Sequence, residues 1–304
     1  MSAFTTFQDA APPVRSQPDP SGLLQRLSSL WLLAPGMLWM GLFLVLPMLM
    51  MVYISFWTQT TFTVEPLLTI DSWVNFFTTP AYRDALWTTL SLWLTVLTAC
   101  LLLGYPVALY IGLFLKSKTV QTVLLVLCVI PFWTSFLIRI LAWRPMLGSE
   151  GAINLILLQL HLISEPLQVL LFSKLSVVIG MTQIYVVFVV GPVAFMLSRI
   201  EPSLIEAARD LGASTWTILR TIVLPLSLPG VAVGAIFVSI MVLGEFATAS
   251  ALSGRKVNML GNIIVTQVGS LKWAFAAVVG VVLTAITATL VAAMLRAVNL
   301  RQGL

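Results

Sequence analysis

Residues 201–230 read EPSLIEAARDLGASTWTILRTIVLPLSLPG and lie between two very apolar segments. Ser203 is followed three residues later by Glu206, and this spacing predicts a capping box at the start of a short helix. Gly212 predicts the end of that helix, because glycine readily adopts the left-handed backbone conformation that closes helices. The stretch is therefore expected to begin with a short, capped, polar helix.

A second helix is expected after the glycine. Ser214 or Thr215 can cap its start, and Pro225 is expected to mark its end. The first helix carries the small pair Ala207 and Ala208, which leaves one of its sides nearly bare. A narrow helix of this kind can enter a groove of another protein. The stretch thus predicts a helix-turn-helix at a membrane surface.

The composition is that of a membrane protein with several spanning helices. Of 304 residues, 59% are hydrophobic and only 9% are charged, and the mean hydropathy is +1.03. These values exclude an ordinary soluble protein. The formal net charge is +5, but the basic residues flank apolar segments. They are therefore interpreted as signals of membrane topology, and not as a nucleic-acid-binding surface.

The sequence contains few residues for catalysis or metal binding. Cys100 and Cys128 both lie in apolar segments, and His161 is the single histidine. These residues cannot form a zinc site or a histidine-based catalytic triad by themselves. The GxxxxGK[ST] phosphate-binding motif is also absent from the sequence. We therefore expect a chain that is not an enzyme, and any ATP hydrolysis is assigned to a separate polypeptide.

The apolar segments predict six transmembrane helices. The first apolar segment, Trp31 to Trp57, is uncharged and long enough to cross about 30 Å of hydrocarbon. Residues 1–27 are polar and proline-bearing, so they are predicted to form a flexible cytoplasmic tail before a transmembrane domain at 28–304. The segment 151–173 is predicted to be interfacial or re-entrant. The predicted spans are residues 31–57, 86–115, 119–142, 175–198, 222–252 and 273–297.

Six spans place both termini and residues 201–230 on one side of the membrane. Lys and Arg residues are more frequent on that side than on the other. The positive-inside rule therefore predicts that both termini are cytoplasmic.

Glu245 is the most costly predicted intramembrane residue, because an ionised carboxylate loses its hydration in hydrocarbon. It is expected either to line a pathway and attract a cationic solute, or to pair with Arg139 or with a partner subunit. Arg139 itself is expected either to extend to the membrane interface or to take part in gating. Neighbouring aromatic side chains can offer cation–π faces. The candidate pathway residues are Glu245, Phe246, Trp133 and Arg139.

The spacing Glu206-Ala207-Ala208, Gly212, Ile222, Leu224-Pro225 resembles the EAA loop of permease subunits of ABC importers. The resemblance implies an all-α membrane protein with the type I ABC importer permease fold, in which residues 201–230 include a cytoplasmic coupling helix. In that family the coupling helix docks into a cleft of the ATPase subunit. The alternative is an amphipathic connector in which Glu206 only caps a helix. The candidate docking residues are Ser203, Glu206, Ala207, Ala208, Arg209, Asp210, Leu211 and Gly212.

Other segments resemble the polyamine-type permeases, which import spermidine and putrescine. The similar segments are Leu103-Gly104-Tyr105-Pro106, Pro131-Phe132-Trp133-Thr134, Glu206 to Ala213 and Gly244-Glu245-Phe246. The sequence departs from the pattern at Ala249 and Ser253-Gly254, so other solutes stay open: an amino-acid-like, opine or phosphonate compound, or ferric iron. Outside this class, an ion-coupled secondary transporter is the main alternative.

The resemblance also implies partners and a location. The expected partners are an ABC ATPase dimer that binds ATP and Mg²⁺, a second permease that is related but distinct, a solute-binding protein and the lipid bilayer. This chain is expected to bind no cofactor, no metal and no nucleic acid itself. The expected location is the bacterial cytoplasmic (inner) membrane, with multiple spans.

Overall fold

The computed structural model describes residues 34–60, 64–115 and 117–302. The predicted tail, residues 1–27, lies outside the described residues. The chain forms two compact units, Met1–Met50 and Met51–Leu304. Helix α1, Ala34–Ile54, supplies the described residues of the first unit and extends into the second. All other described elements belong to the second unit.

The second unit is almost entirely helical. It begins with a small antiparallel hairpin, β1 (Trp57–Gln59) and β2 (Val64–Leu68). The helices that follow are α2 (Asp71–Thr78), α3 (Pro80–Phe114), α4 (Lys118–Trp133), α5 (Phe136–Leu147), α6 (Ala152–Gln159), α7 (Lys174–Leu197), α8 (Pro202–Asp210), α9 (Thr215–Leu243), α10 (Ala247–Leu252), α11 (Leu260–Gly269) and α12 (Trp273–Gln302).

Five of the described helices, α1, α3, α7, α9 and α12, are each long and apolar enough to cross a membrane. The number rises to six when α4 and the bent α5–α6 segment, Phe136–Gln159, are counted together as one crossing. A chain in lipid must satisfy its backbone polar groups internally, and helices do so. The predicted all-α membrane fold is confirmed.

The third predicted span, residues 119–142, is not one straight helix. The chain bends by 91° between α4 and the segment that begins at Phe136. Pro131 lies in a terminal 3₁₀ turn, and Thr134 leaves it with extended backbone. The Thr134 hydroxyl donates to the Pro131 carbonyl at 2.7 Å, which further stabilises the turn. The single span is therefore corrected to two helices that meet at a sharp break.

The boundaries of the fifth span are also corrected. The predicted helix break at Pro225 is absent, because α9 continues through this residue from Thr215 to Leu243. A π-helical turn, Leu219–Val223, ends two residues before the proline. Proline clashes with the carbonyl four residues earlier, and the wider turn relieves that clash. The predicted end at residue 252 is wrong as well, since α9 stops at Leu243 and α10 follows after a break.

Helices α3, α7 and α9 form the core of the second unit and approach one another closely. A Cβ atom added at Gly230 in α9 would lie 2.6 Å from the carbonyl oxygen of Pro192 in α7. One added at Gly234 would lie 3.0 Å from the carbonyl oxygen of Phe188. Small residues at such crossings let helix backbones pack directly in a membrane. The α7–α9 crossing therefore depends on glycine, with no side chain, at positions 230 and 234 of α9.

We expect the substitution Gly230→Ala to destabilise the subunit by about 1–3 kcal/mol, because the added methyl group overpacks this crossing. Gly191→Ala is the matched control, since a Cβ there has no described heavy atom within 4 Å. Thermal unfolding of the two variants in detergent measures the difference. Equal unfolding midpoints would show that the crossing can relax at little cost.

Candidate functional site

The predicted capping box at Ser203 and Glu206 is wrong. α8 begins at Pro202, and its capping position is Glu201, whose side chain makes no capping hydrogen bond in the described structure. Proline favours the first helical position because its φ already suits a helix and it has no N–H to leave unpaired. Ser203 lies inside the first turn, where its hydroxyl is 3.4 Å from the Glu201 carboxylate.

The predicted turn after α8 is confirmed. Gly212 has a φ of +82°, and its N–H donates to the carbonyl three residues earlier at 2.8 Å. The N–H of Ala213 donates to the carbonyl five residues earlier at 3.0 Å. This pair of bonds is the Schellman arrangement that closes helix C-termini. Ser214 then caps α9 by accepting the N–H of Thr217 at 3.2 Å.

The two faces of α8 differ. Ile205 and Ala208 pack against the core, as does Ala213 in the turn. The opposite face is exposed, and Leu211 is 89% exposed. Leucine at this level of exposure in a short polar helix favours contact with another protein. The exposed predicted residues are Ser203, Glu206, Ala207, Arg209, Asp210, Leu211 and Gly212.

Two further apolar side chains extend this exposed surface. Leu204 lies on α8, and Trp216 lies in the first turn of α9 and is 69% exposed. Sequence reasoning missed both residues. Each is a large apolar residue in an otherwise polar stretch, and this signal could have identified them. A search for helix-capping residues does not detect it. The exposed surface therefore spans both sides of the Gly212 turn.

A cavity of about 650 Å³ lies beside the break that follows α9. Its volume suits a small organic molecule. The α4–α5 break, α7 and the end of α9 all contribute to it. The lining residues are Phe132, Thr134, Phe136, Arg139, Ile184, Tyr185, Phe188, Ile240, Met241, Gly244 and Glu245.

Glu245 is the acidic residue of this cavity and is only 6% exposed. The Tyr185 hydroxyl donates to its Oε2, and the Thr248 N–H donates to its Oε1 at 2.8 Å. A buried carboxylate needs such bonds, because it has lost its hydration. The break after α9 supplies one of them, since it places the N–H of Thr248 in the first turn of α10 against Glu245.

Arg139 lines the same cavity but does not pair with Glu245. In the described part of the chain, the hydrogen-bond partners of Glu245 are Tyr185 and Thr248. The Arg139 guanidinium instead lies 5.1 Å from the centre of the Phe132 ring. Its buried Nε atom has no hydrogen-bond partner among the described residues. The alternative in which Glu245 pairs with Arg139 is therefore not found among the described contacts.

The other two candidate pathway residues lie outside the lining. Trp133 is 79% exposed and points away from the buried part of the fold. Phe246 occupies the capping position of α10, and its carbonyl accepts a bond from Asn262 Nδ2 at 3.0 Å. The pathway roles of Trp133 and Phe246 therefore stay predictions, while Glu245 and Arg139 are the two candidates that line the cavity. Sequence reasoning missed Tyr185, because the sequence around a tyrosine in an apolar segment does not show which distant residue its hydroxyl bonds.

The exposed surface and the cavity lie at opposite ends of α9. This helix has 29 residues, so it spans about 40 Å at 1.5 Å per residue. A movement of the end of α9 next to α8 can thus be transmitted along one continuous helix to the end next to Glu245. Within the described residues, no group of three or more His, Cys, Asp or Glu side chains could hold a metal ion.

The described helices are those of a multi-pass membrane protein, with a partly exposed short helix at one end of α9 and a cavity at the other. Residues 104–302 match the family described as binding-protein-dependent transport system inner membrane component. This match covers more than half of the chain, and the chain belongs to that family. It is an inner membrane permease subunit of an ABC importer, as the EAA-loop resemblance predicted.

Two relatives are permeases named for polyamines. The chain is 34% identical over 265 residues to the spermidine/putrescine transport system permease protein PotB of Haemophilus influenzae, covering 85% of this chain and 90% of the relative. It is 34% identical over 248 residues to the protein of the same name from Escherichia coli, covering 81% and 89%. The predicted resemblance to polyamine-type permeases is confirmed.

The fold is also similar to a solved importer. A chain of the bacterial alginate ABC transporter, in complex with an alginate pentasaccharide-bound periplasmic protein, aligns with a TM-score of 0.71 at 18% identity. The alignment covers 90% of this chain and 94% of that chain. At this identity the similarity concerns the fold, and it confirms the predicted importer permease architecture.

Proposed function

We propose that this subunit forms part of the translocation pathway for a small cationic solute such as spermidine or putrescine. The central observation is Glu245, a buried carboxylate in an aromatic-lined cavity. Its hydrogen-bond partners are neutral donors, so no neighbouring cation cancels its charge through a direct bond. An ammonium group would gain from this charge and from the nearby aromatic faces. The names of the PotB relatives support the same solute class.

The exposed surface of α8 and the start of α9 is proposed to dock into an ATPase subunit dimer. Leu211 and Trp216 would be buried there, which accounts for their high exposure in the isolated subunit. The sequence contains no GxxxxGK[ST] motif. ATP and Mg²⁺ are therefore assigned to the ATPase dimer, with no cofactor bound by this chain.

Two further partners are proposed, a second permease and a solute-binding protein. A second permease, related but distinct, is proposed to close the cavity and complete the pathway. A solute-binding protein is proposed to deliver the solute on the side opposite α8, and the family description supports a partner of this kind. In this orientation both termini lie in the cytoplasm.

The proposed mechanism is alternating access. Closure of the ATPase dimer would move α8, and α9 would transmit that movement to the break at residues 244–246. The cavity would then open towards the binding protein, and Glu245 would receive the ammonium group of the solute. Opening of the dimer would reverse the movement and release the solute inwards.

Arg139 supports one alternative solute class. Its guanidinium lines the same cavity as Glu245, and its Nε has no described partner. A solute with both an ammonium and an anionic group, such as an aminophosphonate, could satisfy both side chains.

The test is the ATPase activity of the reconstituted complex with its binding protein. Spermidine, putrescine, a neutral amino acid and an aminophosphonate would be compared. We expect a polyamine alone to stimulate hydrolysis. Stimulation by the aminophosphonate alone would favour the alternative class, and stimulation by the neutral amino acid alone would contradict a cation site at Glu245.

A further inference from the structure

Tyr185 is an unusual neighbour for a buried carboxylate in this cavity. It ends the first helical segment of α7, Lys174–Tyr185, and is 4% exposed. Its hydroxyl donates to Glu245 Oε2. The second oxygen of Glu245 accepts the Thr248 N–H. Both donors are neutral, so they stabilise the charged carboxylate without cancelling its charge.

Arg139 is a competing partner in the same cavity. Carboxylates and guanidinium groups form strong paired hydrogen bonds, especially where water is excluded. Arg139 nevertheless lies over the Phe132 ring and leaves its Nε without a described hydrogen-bond partner. The bond from Tyr185 takes one acceptor position of Glu245 Oε2 and fixes the direction of the carboxylate, which makes no described hydrogen bond to the guanidinium.

We propose that Tyr185 is a positioning residue that holds the Glu245 carboxylate ready for the solute and apart from Arg139. This inference rests on the proposed cation pathway and adds a residue that determines its selectivity. Without the tyrosine hydroxyl, Glu245 pairs with Arg139, and the internal ion pair removes the charge that an ammonium group requires. A neutral donor is essential to this role, because a basic residue at 185 would itself neutralise Glu245.

The first test is the substitution Tyr185→Phe, which removes one hydroxyl and keeps the ring. We expect the solute concentration for half-maximal uptake to rise about tenfold, because a hydrogen bond to a charged group is lost. Tyr105→Phe is the matched control, since the Tyr105 hydroxyl lies 3.0 Å from Ser227 Oγ, away from the cavity lining. Equal effects of the two substitutions would overturn the proposal.

The second test removes the competing cation. In the Tyr185→Phe background, Arg139→Met leaves Glu245 without an arginine partner and keeps a long side chain near Phe132. We expect the double variant to recover much of the lost affinity for the amine. A double variant as impaired as Tyr185→Phe alone would overturn the idea that the hydroxyl keeps Glu245 apart from Arg139.

A spectroscopic test does not depend on which solute is carried. The infrared carboxylate bands of Glu245, identified by their loss in Glu245→Gln, report its bonding partner. We expect these bands to shift in Tyr185→Phe and to stay in place in Tyr105→Phe. Unchanged bands in Tyr185→Phe would contradict the role of Tyr185. Shifted bands in a complex that carries no amine would support that role and contradict the proposed solute class.

Discussion

Replacing Gly212 with proline is expected to reduce solute uptake by about tenfold or more, while the subunit still inserts and assembles. Gly212 has a φ of +82°, and its N–H donates to the Arg209 carbonyl. Proline fixes φ near −65° and has no N–H, so it can satisfy neither requirement. Enforcing such a backbone costs about 1–3 kcal/mol, and the strain would be relieved by reorienting α8 relative to α9. As a result, a movement of α8, which is proposed to dock into the ATPase, would no longer be passed on to α9.

Uptake and ATP hydrolysis by the reconstituted complex separate coupling from assembly. We expect uptake by Gly212→Pro to fall by about tenfold or more, while ATP hydrolysis without solute persists. A tenfold loss corresponds to about 1.4 kcal/mol of binding free energy between the subunit and the ATPase. Gly212→Asn is the matched control, because asparagine tolerates the left-handed conformation and a Cβ at 212 has no described atom within 4 Å. Normal uptake by the proline variant would rule out coupling through this turn.

Glu245→Gln is expected to produce the second large effect. Glutamine has nearly the same shape and can still accept the Thr248 N–H, so α10 should retain its start. The negative charge, however, is removed from a site that is only 6% exposed. In the proposed site, Glu245 and an ammonium group of the solute form a buried charge pair. Loss of one member of such a pair costs about 2–5 kcal/mol, so the affinity for a polyamine should fall by at least tenfold.

Uptake of the polyamine and of a neutral solute distinguishes a solute-binding role from a structural one. Only uptake of the cation should suffer in Glu245→Gln. Glu165→Gln is the control, because Glu165 is an exposed carboxylate in the loop before α7 and does not line the cavity. Equal losses for both solutes would indicate that Glu245 only supports the helix break.

The turn at Gly212 was predictable because its causes are local. A glycine that ends one helix and a serine that caps the next act within four residues of their own positions. The start of α8 was misplaced by two residues, since the capping position is Glu201, before Pro202, and not Ser203. The long spans were likewise predictable from the length of the apolar segments, because the thickness of the lipid bilayer sets the length of a helix that crosses it.

The cavity was less predictable because it depends on breaks and distant contacts. Pro131 marks the turn after α4 and Gly244 follows the end of α9, but a prediction based on the length of the apolar runs passed over both signals. The Tyr185–Glu245 bond joins residues 60 positions apart. The hairpin, α2 and α11 were missed because they are short and mixed in polarity, and tertiary packing decides such segments.

The most direct test of the central claim is uptake of labelled spermidine into proteoliposomes that contain this subunit, its permease partner and the ATPase. The binding protein would be added to the side that supplies the solute, with ATP on the other side. We expect accumulation that requires both the binding protein and ATP and that survives collapse of proton and sodium gradients. Uptake that persists without ATP and stops when an ion gradient collapses would contradict an ATP-driven importer.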